Sequence, residues 1–574
     1  MRRTQLLAAG AAIGLAASAL AGCSSTQHTG EGSAGSNSGA NGNSVPALSA
    51  DLKPGGTVTI ANESGATWNC QFNPLTTDQQ EASGFVYESL VYVNPLQDTA
   101  APTPLLATSY AWNSDDTQLT FQIRQGVKWS DGTPFSAADV AYTFNLLKQN
   151  SALDTFAVWA PPSAGGAGLT SVSASGDTVT MKFSSNASIF FYDVAGDTPI
   201  VPEHIWKSVG DPTNYTDTKP VGTGPFTVAS CSGNNIKYTA NPSYWMPNEP
   251  HVQTVNYPAY LSNDPANNDL ASGKDNWGGQ YIPNINSFYL SKSSNFHIWS
   301  PPVSNVSLIP NMQQGPTASL EVREAIAYAL NRTQIAAIGE QGEEQAANQT
   351  GVINPTFSAY FNSSALSASG YATPNLDKAK SLLSSAGYST SHPLSLTVKS
   401  VTGYSDWDAD LAVAKQELQG IGINLTTQDE ADNTYTSDLQ NGNFQLAFYG
   451  PPGGPTPYYE LHLMLDSANN QPLGKAAQGD YGRYHNPAVD QLFSTYAAAT
   501  TPAAQQNAIK QISTYMIKDV PLIPVVEAVD FFQYSTQDLQ GWPSASDPYA
   551  QPAPWNYPDL ELVLLHLYSK SAQS

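Results

Sequence analysis

A strand–helix–strand run between Leu394 and Leu425 limits what this chain can fold into more than any other stretch. Leu394, Leu396 and Val398 alternate with polar residues, the period-two pattern of a strand with one buried face. Residues 406–419 place Leu411, Ala414 and Leu418 at helical spacing, and Ile421 to Leu425 read as a second strand. Strands joined through a helix run parallel, so this part of the chain builds an α/β layer. Open sheets of that kind bind ligands beyond the carboxyl ends of their strands.

A second run, Leu119 to Leu147, is as regular but of a different kind. Leu119, Phe121 and Ile123 alternate as in a half-buried strand, Gly126 interrupts, and Val127 and Trp129 resume. Asp131-Gly132 marks a turn. Ser136 with Asp139 three residues on has the spacing of a capping box, and Val140, Phe144 and Leu147 then line one face of a helix. Further on, Phe226 and Val228 face Ile236 and Tyr238 across a predicted turn at Ser232–Asn235. Asn375 caps a predicted helix that ends at Gly387.

Chemistry is conspicuous by what is missing. The eight histidines are scattered, with no His-Glu-x-x-His and no Cys-x-x-Cys, so no zinc motif exists. There is no Gly-x-Ser-x-Gly elbow and no Gly-x-x-x-x-Gly-Lys loop. Charged residues make up 12% of the 574 and the formal charge is −24, a balance that argues against nucleic acid. No cofactor and no metal is expected.

The amino terminus sets the compartment. Arg2 and Arg3 precede an apolar Leu6–Leu20 stretch, and Leu20-Ala21-Gly22-Cys23 matches a bacterial lipobox. Residues 1–22 therefore read as a lipoprotein signal peptide, with Cys23 lipidated and the protein anchored to the outer face of the cell membrane. Cleavage removes Arg2 and Arg3 and no acid, taking the formal charge from −24 to −26. Residues 23–50, rich in Ser, Gly, Asn and Ala, read as a flexible tether. Two cysteines remain, Cys70 and Cys231, and an even count in an oxidising compartment permits one disulfide between them.

Several of these segments together resemble the extracytoplasmic solute-binding proteins of family 5, the dipeptide, oligopeptide and nickel type that serve ABC importers. The resemblance is carried by Arg124 followed by Gly126-Val-Lys-Trp-Ser-Asp-Gly-Thr-Pro134 and the Ser136–Val140 helix start. It continues through Pro220-Val-Gly-Thr-Gly-Pro-Phe226, Asn241-Pro-Ser-Tyr-Trp245, Leu320 to Arg332, Asn486 to Asp490 and Pro521 to Pro524. Phe85 to Leu90 is similar to a family helix. The resemblance covers residues 55–545. It implies an α/β, two-lobed periplasmic-binding-protein-like fold with an extra accessory domain and a hinge between the lobes. Lobe I would comprise 51–92, 219–305 and 530–574. Residues 93–218 would form the accessory domain, which in relatives usually does not touch ligand, and 306–529 lobe II.

The implied function is a monomeric binding component that captures an oligopeptide-like solute between its lobes and delivers it to ABC permease subunits. An oligosaccharide-binding member of the same family is the alternative, and a lipid-anchored hydrolase the reading from a different class. Peptide-binding relatives hold the peptide amino terminus with an Asp in the loop after the strand that matches Phe444–Tyr449. Here no acid occurs from Gly450 to Tyr459, which leaves Glu63 or Glu460 to substitute. Aromatic stacking and neutral hydrogen bonds are the expected mode of recognition. The ligand-binding set expected on these grounds is Asn62, Glu63 and Trp68, then Trp277 and Tyr281, then Tyr449 and Tyr458.

Overall fold

The computed structural model describes residues 52–61, 67–76, 82–162 and 165–573. The expected signal peptide and tether, with Cys23, and the expected ligand residues Asn62 and Glu63 lie outside the described residues.

Three large sheets organise the molecule. The first has seven strands. At its centre Thr57–Ala61 runs parallel to both Thr254–Pro258 and Trp277–Gly278. On one side the sheet continues into the hairpin Phe226–Ser232 and Asn235–Ala240, with Ser232 opposite Asn235 as the turn spacing requires. On the other side Gln533–Ser535 and Phe296–Ile298 complete it. The second sheet has six strands and contains the parallel pair Leu394–Val401 and Ile423–Glu430, crossed by the helix Ser405–Gln419. The third is a four-stranded antiparallel sheet from residues 107–183.

Local chemistry explains these elements. In the strand Gln118–Ile123, Leu119, Phe121 and Ile123 are buried and the residues between them are not. The following helix, Ala137–Gln149, starts with both halves of a capping box. The Ser136 hydroxyl accepts from the Ala138 amide, and the Asp139 carboxylate accepts from the Ser136 amide at 2.9 Å. These residues share one apolar core with Val58 and Ile60, so the four-stranded sheet is fastened to the seven-stranded one. The six-stranded sheet has its own core, built from Val322 and Ile326 of the helix Leu320–Ala329, from Leu396 and Val398, and from Leu411 and Leu418.

Two segments cross between the large sheets, and they travel together. Trp299 donates its amide to the Phe532 carbonyl, and Asp530 donates to Pro301, at 3.1 and 2.9 Å. The six-stranded sheet takes up the chain at Pro302, a few residues before the expected boundary at 306, and releases it after Val529. A pair of adjacent crossing strands is a hinge in physical terms, because few other backbone bonds oppose rotation there.

Residues 85–90 are not a helix. Gly84 has φ +79°, and the carbonyls of Phe85 and Val86 accept from the amides of Phe226 and Gly224. The glycines of the Gly222-Thr-Gly224 run serve close packing rather than backbone freedom. A Cβ on Gly222 would lie 1.7 Å from the Val86 carbonyl oxygen. A disulfide joins Cys70 to Cys231 with the Cα atoms 5.9 Å apart, tying the segment after the first strand to the hairpin.

Candidate functional site

A cavity of about 350 Å³ opens where elements of the six-stranded sheet face residues 155–193 and the carboxy-terminal segment 530–559. The first of these walls follows from the parallel strands. Leu394–Val401 ends at the cavity, so Val401, Tyr404 and Trp407 at the start of the next helix line it. Leu446–Tyr449 ends there too, and contributes Tyr449, Gly450 and Pro452 to Gly454. The helix Pro457–Leu465 then presents Tyr458, Tyr459 and His462. Close packing fixes this turn, since a Cβ on Gly453 would meet the Val303 carbonyl at 2.0 Å.

The wall is aromatic, and His462 is its one basic side chain among the described residues. Among the described residues twelve Phe, Tyr and Trp side chains line it, and no Lys or Arg does. The Tyr458 ring stacks on Tyr496 at 4.5 Å and on His462 at 4.8 Å, and Tyr449 meets Tyr481 edge-on at 5.5 Å. Trp407 packs against Tyr404 and Phe448, while its buried indole Nε1 has no hydrogen-bond partner among the described residues. A buried donor without a partner is costly, so Trp407 offers a fixed, unspent N–H beside the cavity. Tyr459 reaches across and donates its hydroxyl to the Ile189 carbonyl at 2.6 Å.

Four aspartates border the same space. Asp530 accepts from Asn556, and Asp559 from the Tyr92 hydroxyl and the Gln551 amide. Burial pushes the Asp530 carboxyl well up and holds Asp559 at about 7, so both are largely protonated in mildly acidic solution. Asp193 and Asp432 complete the set.

The expected site residues divide. Tyr449 and Tyr458 stand in the cavity wall. Trp277 does not: it is fully buried in the seven-stranded sheet, donates Nε1 to the Pro552 carbonyl at 2.7 Å and packs edge-on against Trp542. The glycines beside it mark tight packing, since a Cβ on Gly279 would fall 2.1 Å from the Trp555 ring. Trp68 is likewise a core residue, bonded through Nε1 to the Tyr257 carbonyl. Tyr281 is buried against Phe531, away from the wall. Glu460 cannot serve as an amine-binding carboxylate at the wall. It is buried, both its oxygens accept from Asn305 Nδ2, and burial pushes its pKa up to about 8.

Sequence reasoning missed Tyr404, Trp407 and the whole contribution of residues 155–193. In this segment, expected to stay clear of the ligand, Phe156, Phe190, Tyr192 and Asp193 form part of the cavity wall. The signal for Trp407 was present, since it follows the carboxyl end of a strand that the βαβ pattern had already located.

Comparison with known proteins places this geometry. Residues 101–472 match the bacterial extracellular solute-binding proteins, family 5 Middle. The periplasmic murein peptide-binding protein MppA of Escherichia coli (strain K12) is 24% identical over 514 residues, which span 83% of this chain and 89% of MppA. A periplasmic oligopeptide-binding protein of an oligopeptide ABC transporter from Thermotoga maritima superposes with a TM-score of 0.81 at 23% identity, over 91% of this chain and 100% of that one. A mannohexaose-bound structure of that Thermotoga protein gives 0.77 at 24% identity, over 90% and 98%. The oligopeptide-binding protein AppA of Bacillus subtilis, in complex with a nonapeptide, gives 0.71 at 20% identity, over 90% and 99%. These likenesses establish an α/β, two-lobed binding-protein fold.

Proposed function

The chain belongs to the bacterial extracellular solute-binding proteins of family 5, and we propose that it is the lipid-anchored component of an ABC importer whose solute is an uncharged oligosaccharide. Its relatives are substrate-binding proteins rather than enzymes. The lipobox at Leu20–Cys23 supports the anchor, and the family supports delivery to permease subunits.

One observation carries the choice of solute: a cleft wall that is aromatic and, among the described residues, has no Lys or Arg. Sugar rings present apolar faces that stack on aromatic side chains, and hydroxyls that bond to neutral donors and acceptors. A peptide brings a carboxylate that this wall cannot pair, and an unpaired charge in a closed cleft is expensive. The mannohexaose-bound structure of the Thermotoga protein, which has this fold, supports such a ligand. An oligopeptide is the second reading, supported by Asp193 and Asp432, whose carboxylates at the wall suit an α-amino group.

The test is a thermal-shift and tryptophan-fluorescence panel of manno- and cello-oligosaccharides, peptides and Ni²⁺ at two ionic strengths. Saturable binding of an oligosaccharide, nearly independent of salt, is expected. Binding confined to peptides, with steep salt dependence, would replace this reading by the second one.

Two tryptophan substitutions should separate wall from core. Trp407→Phe keeps a ring and removes the unspent donor, and should weaken solute binding about 5–10-fold with little loss of stability. Trp277→Ala should leave the binding contacts in place and cost about 3–5 kcal/mol of stability, the range for emptying a buried aromatic site. Unchanged affinity in Trp407→Phe would remove its N–H from the site.

A further inference from the structure

Beneath the Trp407 wall lies a second group of polar side chains that the solute cleft does not use. Glu340 and Glu344 sit in the turn between the helix Arg332–Ile338 and the short strand Gln345–Ala346. Asp410 projects from the helix Ser405–Gln419. One carboxylate oxygen from each lies within 4.8 Å of the other two. Two oxygens held by one ion at about 2.4 Å can be at most about 4.8 Å apart, so this spacing suits a shared cation.

Burial makes the arrangement unusual. The three residues are at most 1% exposed, and apart from the Val529 amide beside Glu344 and a proton shared between Glu340 and Asp410, no donor among the described residues reaches their carboxylate oxygens. Carboxylates are acceptors only, and burying several together without donors or a counter-charge is strongly unfavourable. The backbone is shaped for the approach: Gly339 has no Cβ, and one would stand 2.1 Å from the Asp410 Oδ1.

Tyr281 supplies an independent observation. It comes from the segment after the seven-stranded sheet's Trp277–Gly278 strand, is 3% exposed, and its hydroxyl makes no hydrogen bond among the described residues. After burial, the groups acting on that hydroxyl are the carboxylates of Glu340, Glu343, Asp406 and Asp410. The Tyr281 hydroxyl on one side and these carboxylates on the other are therefore near enough to act on each other across the seam. Nearby, the Asn284 amide donates to the Gln341 side chain at 2.9 Å, joining the two sides of the seam.

We propose that Glu340, Glu344 and Asp410, faced by Tyr281, form a binding site for a hard divalent cation at the seam between the two large sheets. The donors are all oxygen, with no sulfur or imidazole, which selects Ca²⁺ or Mn²⁺ over softer metals. Without the ion, Glu340 and Asp410 are close enough to share a proton, and Glu343, Asp406 and Glu527 are the other titratable groups that face the cluster. Cation binding then releases protons and strengthens as pH rises. Because the site takes residues from both sides of the seam, an ion there favours the closed arrangement.

The experiment is calorimetric titration of the EDTA-stripped mature protein with CaCl₂, MnCl₂ and MgCl₂ at pH 7.5, with thermal unfolding in parallel. One saturable site with Kd below about 100 µM for Ca²⁺ or Mn²⁺, and a Tm several degrees higher with that ion, is expected. Asp410→Asn and Glu344→Gln should weaken binding at least about tenfold, and Tyr281→Phe by less. Absence of saturable heat and of any Tm change in the wild-type protein overturns the proposal, and makes the cluster a proton-sharing group. Wild-type affinity in both carboxamide variants overturns it as well.

Discussion

Thermal unfolding of the metal-free protein is expected to show a midpoint that falls by roughly 10 °C between pH 5 and pH 9. The cause is the number of buried carboxyl groups. Burial pushes Glu343 up to about 9, with no opposing interaction. It pushes Glu460 up to about 8 against the pull of Asn305, and Glu527 to about 7 against an amide from Asn354. Asp559 stands at about 7, burial again outweighing its bond from Tyr92. Each of these groups keeps its proton in the folded state over a range where the unfolded chain, with carboxyls near 4, has lost it. Their stabilisation is complete below about pH 4 and is withdrawn as pH rises through the folded values. A tenfold difference in proton affinity corresponds to about 1.4 kcal/mol, so a few such groups outweigh the exposed ion pairs.

Carboxyls held low act in the opposite sense, but outside this window. For Asp438, burial is outweighed by bonds from Lys399 and Asn443, so its contribution is lost only as pH falls below the ordinary carboxylate range. Asp466 behaves in the same way beside His462. Glu527→Gln removes one titrating group at constant shape and should flatten the slope. A midpoint that is level or rises from pH 5 to pH 9 would mean that these carboxyls are ionised in the fold. The scan belongs in EDTA, because a cation at Glu340, Glu344 and Asp410 would favour their ionised forms and oppose the trend.

The parts of this protein that were legible in its sequence are those fixed by neighbours along the chain. The capping box at Ser136 and Asp139 closes within one helical turn, and the Leu394–Leu425 crossover needs only periodicity to be read. Phe85–Leu90 was misread because its conformation is imposed from outside, by the glycine-rich strand start at 222–226 that takes up its carbonyls. The two tryptophans make the same point about the site. Trp277 is in the expected ligand set, yet it is followed by Gly278 and Gly279, which are bare because Leu270 and Trp555 press on them. Trp407 lies in an ordinary amphipathic helix, and only the strand that precedes it aims it at the cleft. The acidic seam was illegible altogether: Glu340 and Asp410 are seventy positions apart, and no motif links them.

Replacing both Cys70 and Cys231 by Ser should lower the free energy of unfolding by about 3–5 kcal/mol, the second large effect expected here. The two residues close a loop across 161 positions, long enough that the constraint on the unfolded chain is substantial. A Cα separation of 5.9 Å lies inside the range that a disulfide spans without moving the backbone. The native contacts on either side do not depend on the bond. Trp68 keeps its hydrogen bonds to the Gly233 and Tyr257 carbonyls, and the hairpin keeps its ladder. The loss should therefore appear as a lower denaturation midpoint, reproduced in the wild-type protein by dithiothreitol. Solute affinity measured in native buffer should not change, since neither cysteine borders the cleft. Equal midpoints with and without reductant, or two titratable thiols in the denatured but unreduced protein, would show that the bond does not form.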